Sequence, residues 1–149
     1  MDETLFTAAG GSDGLVALAH AWHERCLADP VVSHAFSHPG QHPQHTERLA
    51  AYWVEALGGP AAYTDGLGAT HSHVLRLHSG NGEHDDMDRR AVDCFVAAMD
   101  DVGLPGDVRR PLLEWWTAMV AVMSSHPDSA DDVPDGLPLP RWTRDGPTG

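Results

Sequence analysis

Apolar residues recur every three or four positions along most of this chain, which is the period of a helix with one buried face. The first stripe is Leu15, Leu18, Ala19, Trp22 and Cys26, and Ser12 or Asp13 is placed to cap the helix it predicts. Asp29-Pro30 closes that helix, and a short segment carrying Val31, Val32 and Phe36 follows. Residues 37–43 (SHPGQHP) hold two prolines and a glycine and predict a loop. Pro43 suits the first turn of a second helix, with His45, Leu49, Tyr52, Trp53 and Ala56 on one face and a stop at Gly58-Gly59-Pro60. A short helix is predicted from about Ala69 to His78, broken by Ser79-Gly80-Asn81-Gly82. Asp85 or Asp86 can cap the next, which turns Ala91, Phe95, Ala98, Met99 and Val102 inward. Leu104-Pro105-Gly106 turns the chain into a last helix, Asp107 to about Ser125, apolar on most sides. No strand pattern, internal repeat, phosphate loop or Gly-x-Ser-x-Gly elbow is present, so the fold class is all-α.

Beyond Ser125 the periodicity stops. Residues 126–149 form a Pro/Asp-rich C-terminal tail, read as extended, with Leu137, Leu139 and Trp142 able to dock on the helical domain of residues 1–125. A chain of 149 residues can bury a real core without disulfide or metal staples. Cys26 and Cys94 are far apart and make no CxxC pair, which fits a reduced, cytoplasmic protein. The start, MDETLFTAAGG, has no charged-then-apolar signal, and no apolar run nears the ~18 residues that span a bilayer.

Charge narrows the partners. There are 22 acidic side chains against 9 basic ones, all arginine, and the formal charge of −13 argues against nucleic acid or an anionic membrane as partner. Eleven histidines qualify this, because protonating all 11 would bring −13 to −2.

Among those histidines, His78 ends the apolar turn Val74-Leu75-Arg76-Leu77 just before a glycine-rich break. A ring there can bond through one nitrogen to a carbonyl one turn earlier and bind a metal with the other. The competing reading is a helix-terminal histidine interacting with the helix dipole. His45 begins an apolar stripe, as a polar group aimed into a pocket or as a half-exposed residue at a helix start. His20 and His23 flank Trp22, one facing the protein and one the water. His34, His38, His42 and His45 form a cluster, but Pro39, Gly40 and Pro43 keep them off one helical face and no zinc spacing accompanies them. Asp85-Asp86, Asp100-Asp101 and Asp131-Asp132 are adjacent pairs, read as solvated or as caps.

Taken in order, Gly10-Gly11, Trp22-His23, Asp29-Pro30-Val31 to Phe36, Arg48-Leu49, Gly58-Gly59-Pro60, Tyr63 and Leu75-Arg76-Leu77-His78 resemble the truncated haemoglobins, with spacings nearest group II. The resemblance covers roughly Thr4 to Ser125. It implies a two-on-two helical sandwich around haem b. His78 would be the proximal iron ligand, Phe36 would pack on the porphyrin, and His45, Leu49 and His23 would occupy the three main distal positions. Arg48 matches a position that pairs with a haem propionate. Arg76 is a second such partner, although the family's arginine lies beside the proximal histidine, where this chain has Leu77. The implied pocket is lined by Leu49, Tyr52, Trp53, Leu75, Phe95, Trp116 and Met119.

Two departures stand out. Group II members carry tyrosine where this chain has His23, and tryptophan at about Ala91 or Val92, so both usual distal donors are missing. Trp115 or Trp116 is a candidate to fill the space above the iron.

The function implied is binding of oxygen, nitric oxide or CO at an open iron or at one closed by a distal histidine. His45 and His23 are the candidate catalytic residues, because imidazole near neutral pH can move a proton during peroxide cleavage. Peroxidase-like or nitric oxide dioxygenase turnover would need a separate reductase, since no flavin or nicotinamide site is present. The alternatives are passive oxygen storage, transport or sensing, and a non-haem metal site built from His34, His38, His42 and His45.

Overall fold

The computed structural model describes residues 4–33, 45–79, 85–143 and 145–147, apart from the side chains of His45 and Leu77. Six helices carry the chain: α1 (Leu5–Ala8), α2 (Gly11–Ala28), α3 (His45–Ala56), α4 (His71–Leu77), α5 (Asp85–Val102) and α6 (Gly106–Met123). Phe36 and the histidines at 34, 38 and 42 lie outside the described residues.

The helix starts differ from the sequence expectation at one end. A first turn, α1, forms because the Thr4 hydroxyl accepts from the Thr7 N–H at 3.1 Å while Leu5 is fully buried. Neither Ser12 nor Asp13 caps α2. Its N-cap is Gly10, with φ 98°, a left-handed backbone that glycine adopts at no steric cost. Asp13 falls in the first turn, where a carboxylate meets the positive end of the helix dipole. The α1–α2 corner is so tight that a Cβ on Gly14 would stand 2.1 Å from the Ala9 carbonyl oxygen. At the other end of α2, the Asp29 carboxylate accepts from the Val31 and Val32 N–H groups at 2.9 and 3.1 Å.

α2 packs against both α3 and α5, and α5 packs against α6. The stripes read from the sequence meet in one core, and its centre is aromatic. Trp53 receives Trp22, Phe95, Trp115 and Trp116 edge-on, with ring centroids 5.3–6.1 Å apart. Phe95 stacks on Trp116 at 4.7 Å and 12°. Each such pair contributes about 0.5–1.5 kcal/mol beyond area burial.

Cys26 and Cys94, remote in sequence, come together between α2 and α5 as buried free thiols. Burial pushes both thiols up, so they stay protonated at neutral pH. Both members of Asp100-Asp101, and Asp86 of Asp85-Asp86, pair with arginines at the surface. Asp101 takes Arg25 at 2.6 Å, Asp100 takes Arg109, and Asp86 takes Arg89 and Arg90. Exposed pairs of this kind contribute little stability individually.

The tail returns to the body. A 3-10 turn at Ala130–Asp132 lies against α4, Val133 is buried, and Leu139 and Trp142 pack on the core. A two-residue antiparallel pair, β1 (Trp142–Thr143) with β2 (Gly146–Pro147), corrects the expectation of no strand at all without changing the all-α class. Among the described residues, no helix is long and apolar enough to cross a membrane.

Candidate functional site

α4 presents the first candidate. Thr70 caps it by accepting from the His73 N–H at 3.1 Å, and His78 closes it as the C-cap. The His78 ring is exposed, and its Nδ1 lies 2.8 Å from the Val74 carbonyl oxygen one turn earlier. A carbonyl can only accept, so Nδ1 carries the proton and Nε2 is the nitrogen with a lone pair to offer a metal. This is the arrangement that orients metal-bound histidines, with the carbonyl as the outer partner.

His71, at the start of the same helix, is built differently. It is buried, and its Nδ1 lies 2.8 Å from the Tyr52 hydroxyl on α3. Burial pulls the His71 pKa down and pushes the Tyr52 phenol far up, so both are neutral at pH 7. The pair joins α3 to α4.

On the other side, His23 of α2 is half-buried, and its Nδ1 lies 3.4 Å from Thr46 Oγ1 in the first turn of α3. Burial, then the neighbouring His20, lower its pKa, which keeps this imidazole neutral at pH 7. Leu49, one turn along α3, is half-buried. His23 and the start of α3 therefore converge, and His45 opens that helix, with its side chain outside the description.

The other expected site residues lie in the core or bond to neighbouring groups. Tyr52, Leu75, Phe95, Trp116 and Met119, read as pocket lining, are all buried, and all but Leu75 belong to the central core cluster. The positive charge of Arg48 opposes the upward push of burial on the Tyr63 phenol. Arg76 turns to the tail, bonding the Val133 carbonyl at 3.1 Å and the Asp135 carboxylate.

Ala91, one of the two positions at which the resemblance implied a tryptophan, is bordered by two indoles from other helices. Trp22 Nε1 of α2 and Trp116 Nε1 of α6 both donate to the Ala91 carbonyl, at 3.1 and 3.4 Å. Trp115 Nε1 is buried and finds no acceptor among the described residues.

Glu55 escaped the sequence reading. The residue is 2 % exposed, its carboxylate accepting from the Tyr63 N–H (3.1 Å), the Thr64 N–H (2.9 Å) and the Thr64 hydroxyl (2.8 Å). Arg141 of the tail approaches it at 3.7 Å. The only signal in the sequence was a carboxylate on the apolar run Tyr52-Trp53-Val54-Glu55-Ala56-Leu57, just before a glycine turn that leaves N–H groups to satisfy.

Among the described residues, no three His, Cys, Asp or Glu side chains gather to hold a metal ion. A haem needs no such gathering, because the porphyrin supplies four ligands and the protein a single axial imidazole. The donor set on α4 fits that requirement. Residues 4–125 match the family described as bacterial-like globin. The chain belongs to that family. It is 26% identical over 132 residues to a group 1 truncated haemoglobin of Synechocystis sp., covering 87% of this chain and 96% of that one. Its fold superimposes on the group II truncated haemoglobin of Bacillus anthracis with a TM-score of 0.72, at 22% identity and covering 87% and 96% of the two chains. The thermostable haemoglobin of Thermobifida fusca matches at a TM-score of 0.66 and 26% identity, covering 81% and 96%. The group II 2-on-2 haemoglobin of Agrobacterium tumefaciens gives 0.68 and 23%, covering 82% and 94%. This globin therefore has the truncated two-on-two fold, and its cofactor is haem. Its C-terminal tail lies beyond the matched residues.

Proposed function

We propose that this globin binds oxygen and related diatomic ligands at a haem held by His78, with His23, His45 and Leu49 on the distal side. One observation carries the reading: the 2.8 Å contact between His78 Nδ1 and the Val74 carbonyl, which presents Nε2 as the ligating nitrogen. When bound, the haem supplies an iron with one position open to a gas. The Val74 carbonyl holds the proton on Nδ1 and sets the plane of the ring. In the tautomer whose Nδ1 accepts from the Thr46 hydroxyl, neutral His23 carries its proton on Nε2, the nitrogen that would donate to a ligand gaining negative charge. The indoles of Trp22 and Trp116 already donate to the Ala91 carbonyl, which supports imidazole as a polar group on the distal side. In its neutral form His23 is also a proton acceptor, which supports a second role in peroxide cleavage, with His45 as partner. Phe36 against the porphyrin and Arg48 near a propionate complete the proposal, carried by their place in the family pattern.

The test is substitution with spectroscopy. His78→Ala is expected to abolish the ferrous histidine-ligated spectrum, and added imidazole to restore it in His78→Gly. His71→Ala serves as a control that should retain it. His78→Ala with unchanged absorption would overturn the ligand assignment. A distal hydrogen bond of about 1.5–3 kcal/mol corresponds to roughly 10- to 100-fold, so His23→Leu should speed oxygen release by that factor. Unaltered release would reject His23 as the donor.

A further inference from the structure

α4 has seven residues, too few to be stable alone, so its position depends on what packs against it. Much of that support comes from the tail. Ser72 is buried, and its hydroxyl donates to the Pro134 carbonyl at 2.8 Å while accepting from the Leu137 N–H at 3.1 Å. Arg76 lies one turn later on the same face of α4 and bonds the Val133 carbonyl and the Asp135 carboxylate. Val133, between these contacts, is 3 % exposed. Further along, Arg141 approaches the buried Glu55 at the end of α3. Two consecutive turns of α4 are thus bonded to backbone groups of residues 133–137. Val74, whose carbonyl orients His78, sits between Ser72 and Arg76 in the chain.

We propose that residues 133–137 form a clamp on α4, with Ser72 and Arg76 as positioning residues that hold the Val74 carbonyl, and through it the His78 ring, in its ligating geometry. The proposal rests on His78 being the iron ligand. The physical link is short. If the last turn of α4 frays, the Val74 carbonyl moves, and Nδ1 loses the acceptor that sets the tautomer and plane of the ring. The clamp lies beyond residue 125, outside the part of the chain matched to the globin family.

The experiment uses the full chain, with Ser72→Ala, Arg76→Met and their combination. Ser72→Thr and Arg76→Lys serve as conservative variants. Amide hydrogen exchange across residues 71–79 is measured in the apoprotein and the haem protein, and the ferrous iron–histidine stretching band in the haem protein. Loss of these hydrogen bonds should speed exchange in α4 by about tenfold or more, leaving the centres of α2 and α6 unchanged. The stretching band should shift or broaden in the same variants and recover in the conservative ones. Unchanged exchange in α4 would overturn the clamp. Faster exchange with an unmoved band would overturn its role in positioning His78. A histidine band that survives His78→Ala would instead sink the ligand assignment, and the His78 half of the proposal with it, while the apoprotein exchange still decides whether the tail clamps α4.

Discussion

Replacing Glu55 with alanine removes the acceptor of three hydrogen bonds at the junction between α3 and the turn that leads to α4. The Tyr63 and Thr64 N–H groups have no other acceptor supplied by regular structure there, so the substitution leaves backbone donors at a buried site. Hydrogen bonds to a charged acceptor are worth about 1.5–3 kcal/mol each. Part of that is offset, because the variant no longer pays the desolvation cost of a buried carboxylate. Water can also reach Thr64, which is only half-buried. Arg141 is half-exposed at 3.7 Å and adds little. The net cost of Glu55→Ala should be about 2–5 kcal/mol, from buried donors left unsatisfied. Glu55→Gln keeps an oxygen for the two backbone donors and should cost about 1 kcal/mol. Urea denaturation of the apoprotein measures both, read as a drop in midpoint at constant slope. If alanine costs less than about 1 kcal/mol or matches glutamine, the three bonds do not hold this turn and the reasoning fails.

Two further predictions follow from close approach and from burial. Gly14→Ala must push a methyl against the Ala9 carbonyl oxygen, with the Cβ at 2.1 Å before relaxation, and should cost about 1–3 kcal/mol in the same denaturation assay; a neutral result would mean that α1 is not held at this corner. Burial keeps the pKa of both His71 and His23 below the unfolded value of 6.5, so the unfolded chain binds more protons in mild acid. Stability is therefore complete above pH ~6.5 and is lost as pH falls through the lower folded values. His71→Asn keeps a hydrogen-bonding group toward Tyr52 without the titration, so its midpoint should fall less steeply between pH 7 and pH 5; an identical slope would show that His71 does not contribute.

The geometry around His78 was legible because it is local. His78 and Val74 are one helical turn apart, so an apolar turn ending in histidine already predicts a ring that bonds back to its own helix. The order of helices was legible for the same reason, since burial of one face imposes a period that any stretch of 12 or more residues displays. The pocket was not. Tyr52, Phe95, Trp116 and Met119 carry the periodicity of buried residues, and that signal does not distinguish a side chain facing a cofactor from one packed on its neighbours.

Periodicity along the chain was enough for the five helices after α1 and their breaks at Gly58-Gly59-Pro60 and Leu104-Pro105-Gly106, and the order of residues carried the family pattern ending in His78. Only the tertiary structure decided that Cys26 meets Cys94, that two indoles converge on Ala91, that Glu55 is buried under Tyr63 and Thr64, and that the tail binds Ser72 and Arg76. The reason is physical. Periodicity reports which face of a helix leaves water, whereas the partner of a buried group depends on which two faces meet, and residues that meet across helices keep no fixed spacing in the chain.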